Sequence, residues 1–468
     1  MPAIVWLRRD LRLRDHPALT AAARDGNGEV LALFVLDPHL LAAAGPPRRA
    51  FLLRCLRDLD ERLDGRLTVV SGDPPAVVAE VARDTGATAV HVTADFAPYG
   101  RRRDTAVERA LAAEGRALRA SGSPYAAGPG SVTKPDGSRY AMFTPFRRAW
   151  DAIATEPPLP APDGLRWIRG PRTEPLPDEP GLAGAVLPAA GEDAALRRLE
   201  TFLADGVGAY ARRRNLPGAD ATSHLSPYLK FGTLHPRTVL ACLGELPPGP
   251  GAESFRTEVA WRDFYADVLC GCPDSAWRPL RRNLAALPAD TGGPARDRFA
   301  AWARGSTGYP IVDAGMRQLL HEGWMHNRVR MIVASFLVKD LHLPWQDGAR
   351  HFLRHLVDGD LASNSGGWQW VAGTGTDSAP SYRIFNPVKQ GEQHDPEGTY
   401  VRRHVHELRD VPPAAIHRPW TLPGGPPDGY PPPIVDHDAE RREALARYAA
   451  VRGSGAGAGR GWRQWGQQ

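Results

Sequence analysis

Between Asp358 and Trp370 the chain reads DGDLASNSGGWQW, which gathers two carboxylates, two amides, two adjacent glycines and two tryptophans within thirteen residues. Carboxylates and amides cost free energy to bury without hydrogen-bond partners, whereas tryptophans at i and i+2 need apolar or stacking surroundings. Neither a simple core nor a solvated face combines them. The segment is therefore expected to line a pocket for a molecule both aromatic and polar, and a flavin meets that description.

Other constellations stand elsewhere. Glu258, Trp261 and Arg262 fall at i, i+3 and i+4 of one helical stretch and share a face, as a site or as an ordinary surface cluster. Arg330, in the run GWMHNRVRM from Gly323 to Met331, has apolar neighbours and needs a buried partner. Asp358 is the candidate, since either charge alone would be strongly destabilising, and a purely structural ion pair is an open alternative. Tyr210, followed by Thr222-Ser223-His224-Leu225-Ser226, offers hydroxyls and backbone N–H groups ahead of a helical run. Such a segment can hold phosphate oxygens or simply cap a helix. His321-Glu322 and His326 imitate a zinc-protease helix, but the second histidine comes five residues on rather than four, so no metal is expected. Cys55, Cys242, Cys270 and Cys272 are too sparse to staple the chain and read as reduced thiols.

The elements that must position these groups fall into two kinds. Up to about residue 120, short apolar runs (Ala3 to Leu7, Val30 to Leu36, Leu67 to Val70, Ala89 to Val92) alternate with helical stretches, the rhythm of a parallel α/β sheet. No G-x-G-x-x-G follows the first strand, so a dinucleotide on a Rossmann site is not expected there. Glu156 to Pro188 carries nine prolines and reads as an extended surface connector. Beyond it the pattern turns helical, over Asp193 to Leu203, Pro236 to Leu246, Ser254 to Leu269, Val312 to Glu322, Arg328 to Asp340 and Asp347 to Val357. The expected organisation is an α/β domain over 1–128, a linker over 129–191, an all-α domain over 192–450 and a disordered Gly-rich tail over 451–468. At 468 residues, two domains are natural. No apolar run approaches the roughly 18 residues of a membrane span, and the opening Ile4 to Leu7 is broken by Arg8 and Arg9, unlike a secretory leader. A cytoplasmic location is expected. The net charge of +5 hints at an anionic partner.

Three runs carry a resemblance: Trp6-Leu7-Arg8-Arg9-Asp10-Leu11-Arg12, Gly308-Tyr309-Pro310-Ile311-Val312-Asp313, and the segment from Asp358 through Trp370 and Gly373 to Asp377, ending in Tyr382-Arg383-Ile384-Phe385-Asn386-Pro387. Together they resemble the DNA photolyase and cryptochrome family over nearly the whole chain, most closely its bacterial enzymes for cyclobutane pyrimidine dimers. The resemblance implies a Rossmann-like domain followed by a helical domain that binds FAD. It assigns the FAD diphosphate to Tyr210, Thr222, Ser223, His224, Leu225 and Ser226, and the flavin ring to Arg330, Asp358, Asp360 and Asn364, with Asn364 facing N5. Glu258 would face the lesion and donate to its carbonyl, Asn327 and Met331 would complete that pocket, and Trp261 and Trp370 would stack on the flipped bases. Arg214, Arg262, Arg328 and Arg383 match positions that contact DNA phosphates, although each could be a solvated arginine. The implied reaction begins when a blue photon excites reduced FAD. An electron passes to the dimer, both intradimer C–C bonds break, and the electron returns, in a monomeric enzyme that draws the weakly paired dimer out of DNA.

Subfamily features refine the reading. Photoreceptor cryptochromes of plants and insects carry aspartate or cysteine where Asn364 stands, and enzymes for the (6-4) photoproduct carry histidines at Asn327 and Met331. Cyclobutane-dimer repair is therefore expected, with a non-repairing, cryptochrome-like photoreceptor as the alternative. The run Asp95-Phe96-Ala97-Pro98-Tyr99-Gly100-Arg101-Arg102-Arg103-Asp104 looks like members whose antenna is 8-hydroxy-5-deazaflavin. Members binding methenyltetrahydrofolate carry Asn-Glu where Tyr99 and Gly100 stand. Trp368 and Trp345 match the inner relay of flavin photoreduction, but no tryptophan lies between Leu280 and Ala301, and Ala289 falls near the outer position. Trp302 is the expected substitute, with Trp277 and Tyr309 as weaker options.

Overall fold

The computed structural model describes residues 1–153, 156–376 and 382–454. Six parallel strands form one sheet: β1 Ala3–Leu7, β2 Glu29–Leu36, β3 Thr68–Ser71, β4 Ala89–Val92, β5 Ala117–Ala120 and β6 Arg166–Trp167. Their order is β3-β2-β1-β4-β5, with β6 also paired to β2. β1 is central, placing Ala3 opposite Val30 and Ile4 opposite Val90. Strand alternation sends Ala3, Val5 and Leu7 into one apolar layer and Ile4 and Trp6 into the other. Helices cover both faces, which is why the central strands read as unbroken apolar runs. Pro17, Pro38, Pro46, Pro74 and Pro98 each open a helix, where a missing N–H costs nothing.

Two parts of this region depart from the sequence reading. β5 carries Arg119 and lies half exposed at the sheet edge, so it lacked a strand-like apolar run. The segment from 129 to 191 is more than a surface connector. It contains the helix Phe143–Asp151, whose Phe146 and Trp150 are buried, and its Arg166 and Trp167 join β2 opposite Glu29 and Val30. Proline density concealed a two-residue strand that needs only two ladder positions.

The remainder is helical, and the expected helices are present with shifted ends. The helix Asn327–Ser335 gives way to a π-helical turn over Phe336–Asp340, and Glu192–Thr201 passes through another over Phe202–Gly206 into Val207–Arg213. His437–Ser454 forms a last helix, so 451–454 of the expected tail are helical, while 455–468 lie outside the described residues. The turn after β1 docks on this helical region: Leu11 N–H donates to the Phe231 carbonyl at 3.2 Å, and Glu192 accepts from Leu13 and Arg14 N–H at 2.8 and 3.0 Å. Among the described residues no helix is long and apolar enough to cross a membrane.

Candidate functional site

The helix Leu361–Ala372 is the centre of the site. Asp360 caps it, accepting from Ala362 and Ser363 N–H at 3.1 Å each, and Gly373 ends it with φ of 78°. Its glycines and those of its neighbour allow close packing. A Cβ on Gly348, in the helix Trp345–His355, would lie 2.1 Å from the Trp368 ring, and one on Gly366 would lie 2.3 Å from Tyr265. Asn364 is anchored between the two helices by its amide, which donates to the Ala349 carbonyl at 3.0 Å.

Asp358 and Asp360 flank the turn before this helix and serve different partners. Arg330 donates to Asp358 Oδ2 at 2.8 Å and, through Nε, to the Met325 carbonyl at 2.8 Å. The other oxygen, Asp358 Oδ1, is buried with no hydrogen-bond partner among the described residues. Asp360 instead meets Arg9 Nη2 at 2.7 Å and Lys230 Nζ at 3.6 Å. Burial alone would raise the Asp360 pKa, but the charges of Arg9, Lys230 and Arg262 outweigh it and hold the carboxyl well below its usual range. Lys230 is pulled down to about 7, by burial first and by the Arg9 charge second.

The loop over Thr222–Ser226 precedes the short helix Ser226–Phe231, and its side chains do not cap it. Ser223 Oγ accepts from Leu225 N–H at 3.3 Å, and Arg198 pins the Ser223 and Thr222 carbonyls at 2.7 and 2.9 Å. His224 adopts φ of 51°, contacts Asp220 at 2.8 Å and packs on Trp324. Thr222 Oγ1 is buried and unpartnered among the described residues, as are the indole nitrogens of Trp345 and Trp368. A hydroxyl and two indole N–H groups that can donate, with a carboxylate oxygen that can accept, are left without partners and fit FAD, a ligand with an aromatic ring and a diphosphate.

A second, more open cluster lies on the helices Val207–Arg213 and Pro250–Gly271, which pack together. Arg214 ion-pairs with Glu258 at 2.6 Å, donates to Ser254 Oγ at 3.0 Å and stands over the Tyr210 ring at 5.4 Å. Trp261 is half-buried and stacks on Phe143 at 3.6 Å with the rings nearly parallel. Asn327 is exposed at the start of its helix, and Met331, one turn on, is half-buried. Arg328 donates to Asn215 Oδ1 at 2.9 Å, and Arg383 is exposed. Trp370 and Arg383 line a shallow cleft with Arg281, Lys339, Tyr382 and Tyr448. Arg262 is not an exposed arginine. Its guanidinium donates to the Pro124 and Leu229 carbonyls at 2.8 and 2.9 Å and covers Tyr125, so it bridges the two halves of the chain.

The three candidates for the outer relay differ in burial. Trp302 is fully buried, 6.2 Å from Trp368 between ring centres, with its N–H donated to the Val333 carbonyl. Its burial excludes it as a point of exchange with solvent. Tyr309 is buried and bonded to the Val435 carbonyl. Trp277 is 36% exposed, lies under Arg350 and accepts at its carbonyl from Gln346, next in sequence to Trp345. Near the sheet, Tyr99 donates to Asp37 at 2.5 Å and stacks on His39, while Arg103 pairs with Asp95 and Asp104. Asp377, part of the motif that carried the resemblance, lies outside the described residues. Sequence reasoning missed Arg9, Arg48 and Lys230 as neighbours of the Asp358–Asp360 turn, because their partners lie more than a hundred residues away and leave no local spacing to read.

Residues 3–163 match the model of the DNA photolyase family, and residues 255–450 match that of the FAD binding domain of DNA photolyase. Fold and site thus define a two-domain protein with a sheet-based half and a helical FAD-binding half. The chain belongs to the DNA photolyase and cryptochrome family. It is 43% identical over 467 residues to a deoxyribodipyrimidine photo-lyase of Streptomyces griseus, a match covering 96% of this chain and 99% of that relative. A bacterial class III photolyase from Agrobacterium tumefaciens superposes with a TM-score of 0.89 at 36% identity, covering 97% and 98% of the two chains. A cryptochrome of Synechocystis superposes with a TM-score of 0.86 at 29% identity, covering 95% and 99%.

Proposed function

We propose that this enzyme repairs cyclobutane pyrimidine dimers in DNA by light-driven electron transfer from reduced FAD. The observation that carries the reading is the Arg330–Asp358 pair, whose spare buried carboxylate oxygen stands at the foot of the helix bearing Asn364, Trp368 and Trp370. When bound in its reduced form, FAD supplies the electron that a blue photon drives into the dimer. Tyr210 and Thr222–Ser226 bind the diphosphate, with the Thr222 hydroxyl uncommitted elsewhere. Arg330 and Asp358 stand beside the ring, and Asn364, fixed by Ala349, faces N5. Asp360 contributes through the helix N-terminus and its cation partners, since both its oxygens are already occupied.

The lesion enters against Glu258, Asn327 and Met331, flanked by Trp261 and Trp370. Glu258 must exchange Arg214 for the dimer, which an ion pair with both partners partly exposed permits at little cost. Arg214, Arg328 and Arg383 take up phosphates around the flipped dimer, and Arg262 braces the pocket from behind. The protein acts as a cytoplasmic monomer. Its antenna is 8-hydroxy-5-deazaflavin, seated near Phe34–Asp37 and Asp95–Asp104. An absorption spectrum of purified protein followed by illumination with dimer-containing oligothymidine tests the main reading: a flavin spectrum with restored thymines supports it, and a flavin spectrum with intact dimers identifies a photoreceptor. Reconstitution with the deazaflavin is expected to sensitise repair in the violet-blue, and binding of methenyltetrahydrofolate alone overturns that antenna.

A further inference from the structure

The turn that carries Asp358 and Asp360 is held from outside the helical domain. Arg48, on the helix Pro46–Arg62 of the sheet-based half, donates from Nη1 to the Gly359 carbonyl at 3.0 Å while its Nη2 is anchored on the Ala43 carbonyl at 2.9 Å. Arg9, just after β1, reaches Asp360 at 2.7 Å. The backbones also meet directly, because a Cβ on Gly45 would fall 1.6 Å from the Arg354 carbonyl, just before the same turn. Gly359 is the matching concession: a Cβ there would lie 2.7 Å from Arg48 Nη1. Within the helical half, the backbone bonds at this turn are Val357 N–H on the Gly323 carbonyl at 2.7 Å, a long 3.4 Å bond from Gly359 to Leu356, and Asn364 N–H on the Asp360 carbonyl at 2.9 Å, so the Gly359 carbonyl is held by Arg48.

We propose that Arg9 and Arg48 are positioning residues of the flavin site, clamping the Asp358–Gly359–Asp360 turn from the sheet-based domain so that the Asp358 carboxylate is fixed against the ring. The clamp rests on the FAD reading above. Neither arginine touches the cofactor; each acts through the turn. The consequence is that the antenna domain does more than carry an antenna, since the flavin site is complete only when that domain is docked.

The test uses the full-length FAD-loaded protein with Arg48→Met, Arg48→Lys, Arg9→Gln and, as control, Arg54→Met, which removes a cation from the same helix that pairs with Glu179 instead. Loss of one charge-assisted hydrogen bond predicts FAD binding weakened about tenfold to a hundredfold in Arg48→Met. The midpoint potential of the bound flavin should shift, and amide exchange over 357–363 should accelerate even in apoprotein. Arg48→Lys, which can restore one bond to Gly359, should recover most of the potential, and Arg54→Met should change neither readout. Should Arg48→Met fail to fold, Gly359→Ala tests the same contact from the other side and should reproduce the shift. Wild-type potential and exchange in Arg48→Met, or equal changes in Arg54→Met, overturn the clamp. Wild-type protein that binds no FAD instead overturns the reading on which the clamp rests.

Discussion

Two arginine–carboxylate pairs of similar length, Arg330–Asp358 at 2.8 Å and Arg214–Glu258 at 2.6 Å, stand one in each of the two side-chain clusters of the helical region. Their environments differ. The two arginines are alike, 25% exposed at Arg330 and 24% at Arg214, but the Asp358 side chain is 3% exposed whereas Glu258 keeps 29% of its own in solvent. A buried charge cannot be re-solvated when its partner leaves, so breaking the first pair costs about 3–5 kcal/mol, while an exposed pair contributes about 0–1 kcal/mol. Geometry alone would rank them equal. Under the proposed function, burial makes one a fixture of the cofactor site and the other a contact that substrate can displace.

The largest effect should follow from attacking the fixture. Arg330→Leu leaves the buried Asp358 carboxylate without a counter-charge and is expected to lower stability by about 3 kcal/mol and to yield protein largely free of FAD. Denaturant unfolding and the flavin absorbance of purified protein measure both, and a stable, yellow variant would equate the two pairs after all. Next comes DNA binding. Arg328→Glu should weaken lesion binding about tenfold or more and flatten its dependence on salt, with the flavin spectrum unchanged. Affinity insensitive to a salt titration would remove DNA from the account. On the displaceable side, Glu258→Ala should lower repair yield several-fold yet retain FAD and most of the stability, as expected for a pair worth so little to the fold. Loss of FAD in that variant would make Glu258 structural.

The same contrast marks what could be read from the chain. The Arg330–Asp358 pairing followed from the cost of an unpaired buried charge, and the central strands from apolar runs that only a doubly covered sheet produces. Interactions between distant segments were not legible, because nothing local in Arg48 or Arg9 announces a partner some three hundred residues away. Arg262 shows the limit from the other direction. Its spacing from Glu258 suggested a shared outward face, but its side chain turns to carbonyls at Pro124 and Leu229, which only the docking of the two domains brings there. β6 failed for a similar reason: two residues take their strand character from β2 rather than from their own sequence.

The smallest effect on repair concerns the relay, and it tests exposure as the deciding variable once more. Electron tunnelling falls steeply with distance, and the last carrier must also meet a reductant in solvent. Trp302 satisfies the first condition, with its ring 6.2 Å from Trp368, and fails the second, being fully buried. Trp277 is exposed and contacts residues 346 and 350 of the helix that begins at Trp345, and we propose it as the carrier that takes the hole from Trp345 and receives an electron from an external thiol. Trp277→Phe is therefore expected to slow photoreduction of oxidised FAD in the presence of thiol. Trp302→Phe should change it less, and neither variant should alter dimer repair by enzyme reduced beforehand. Transient absorption of the tryptophan radical compares the two directly. Equal radical lifetimes in wild type and Trp277→Phe, with a loss confined to Trp302→Phe, would mean that proximity outranks exposure and that the relay ends inside the protein.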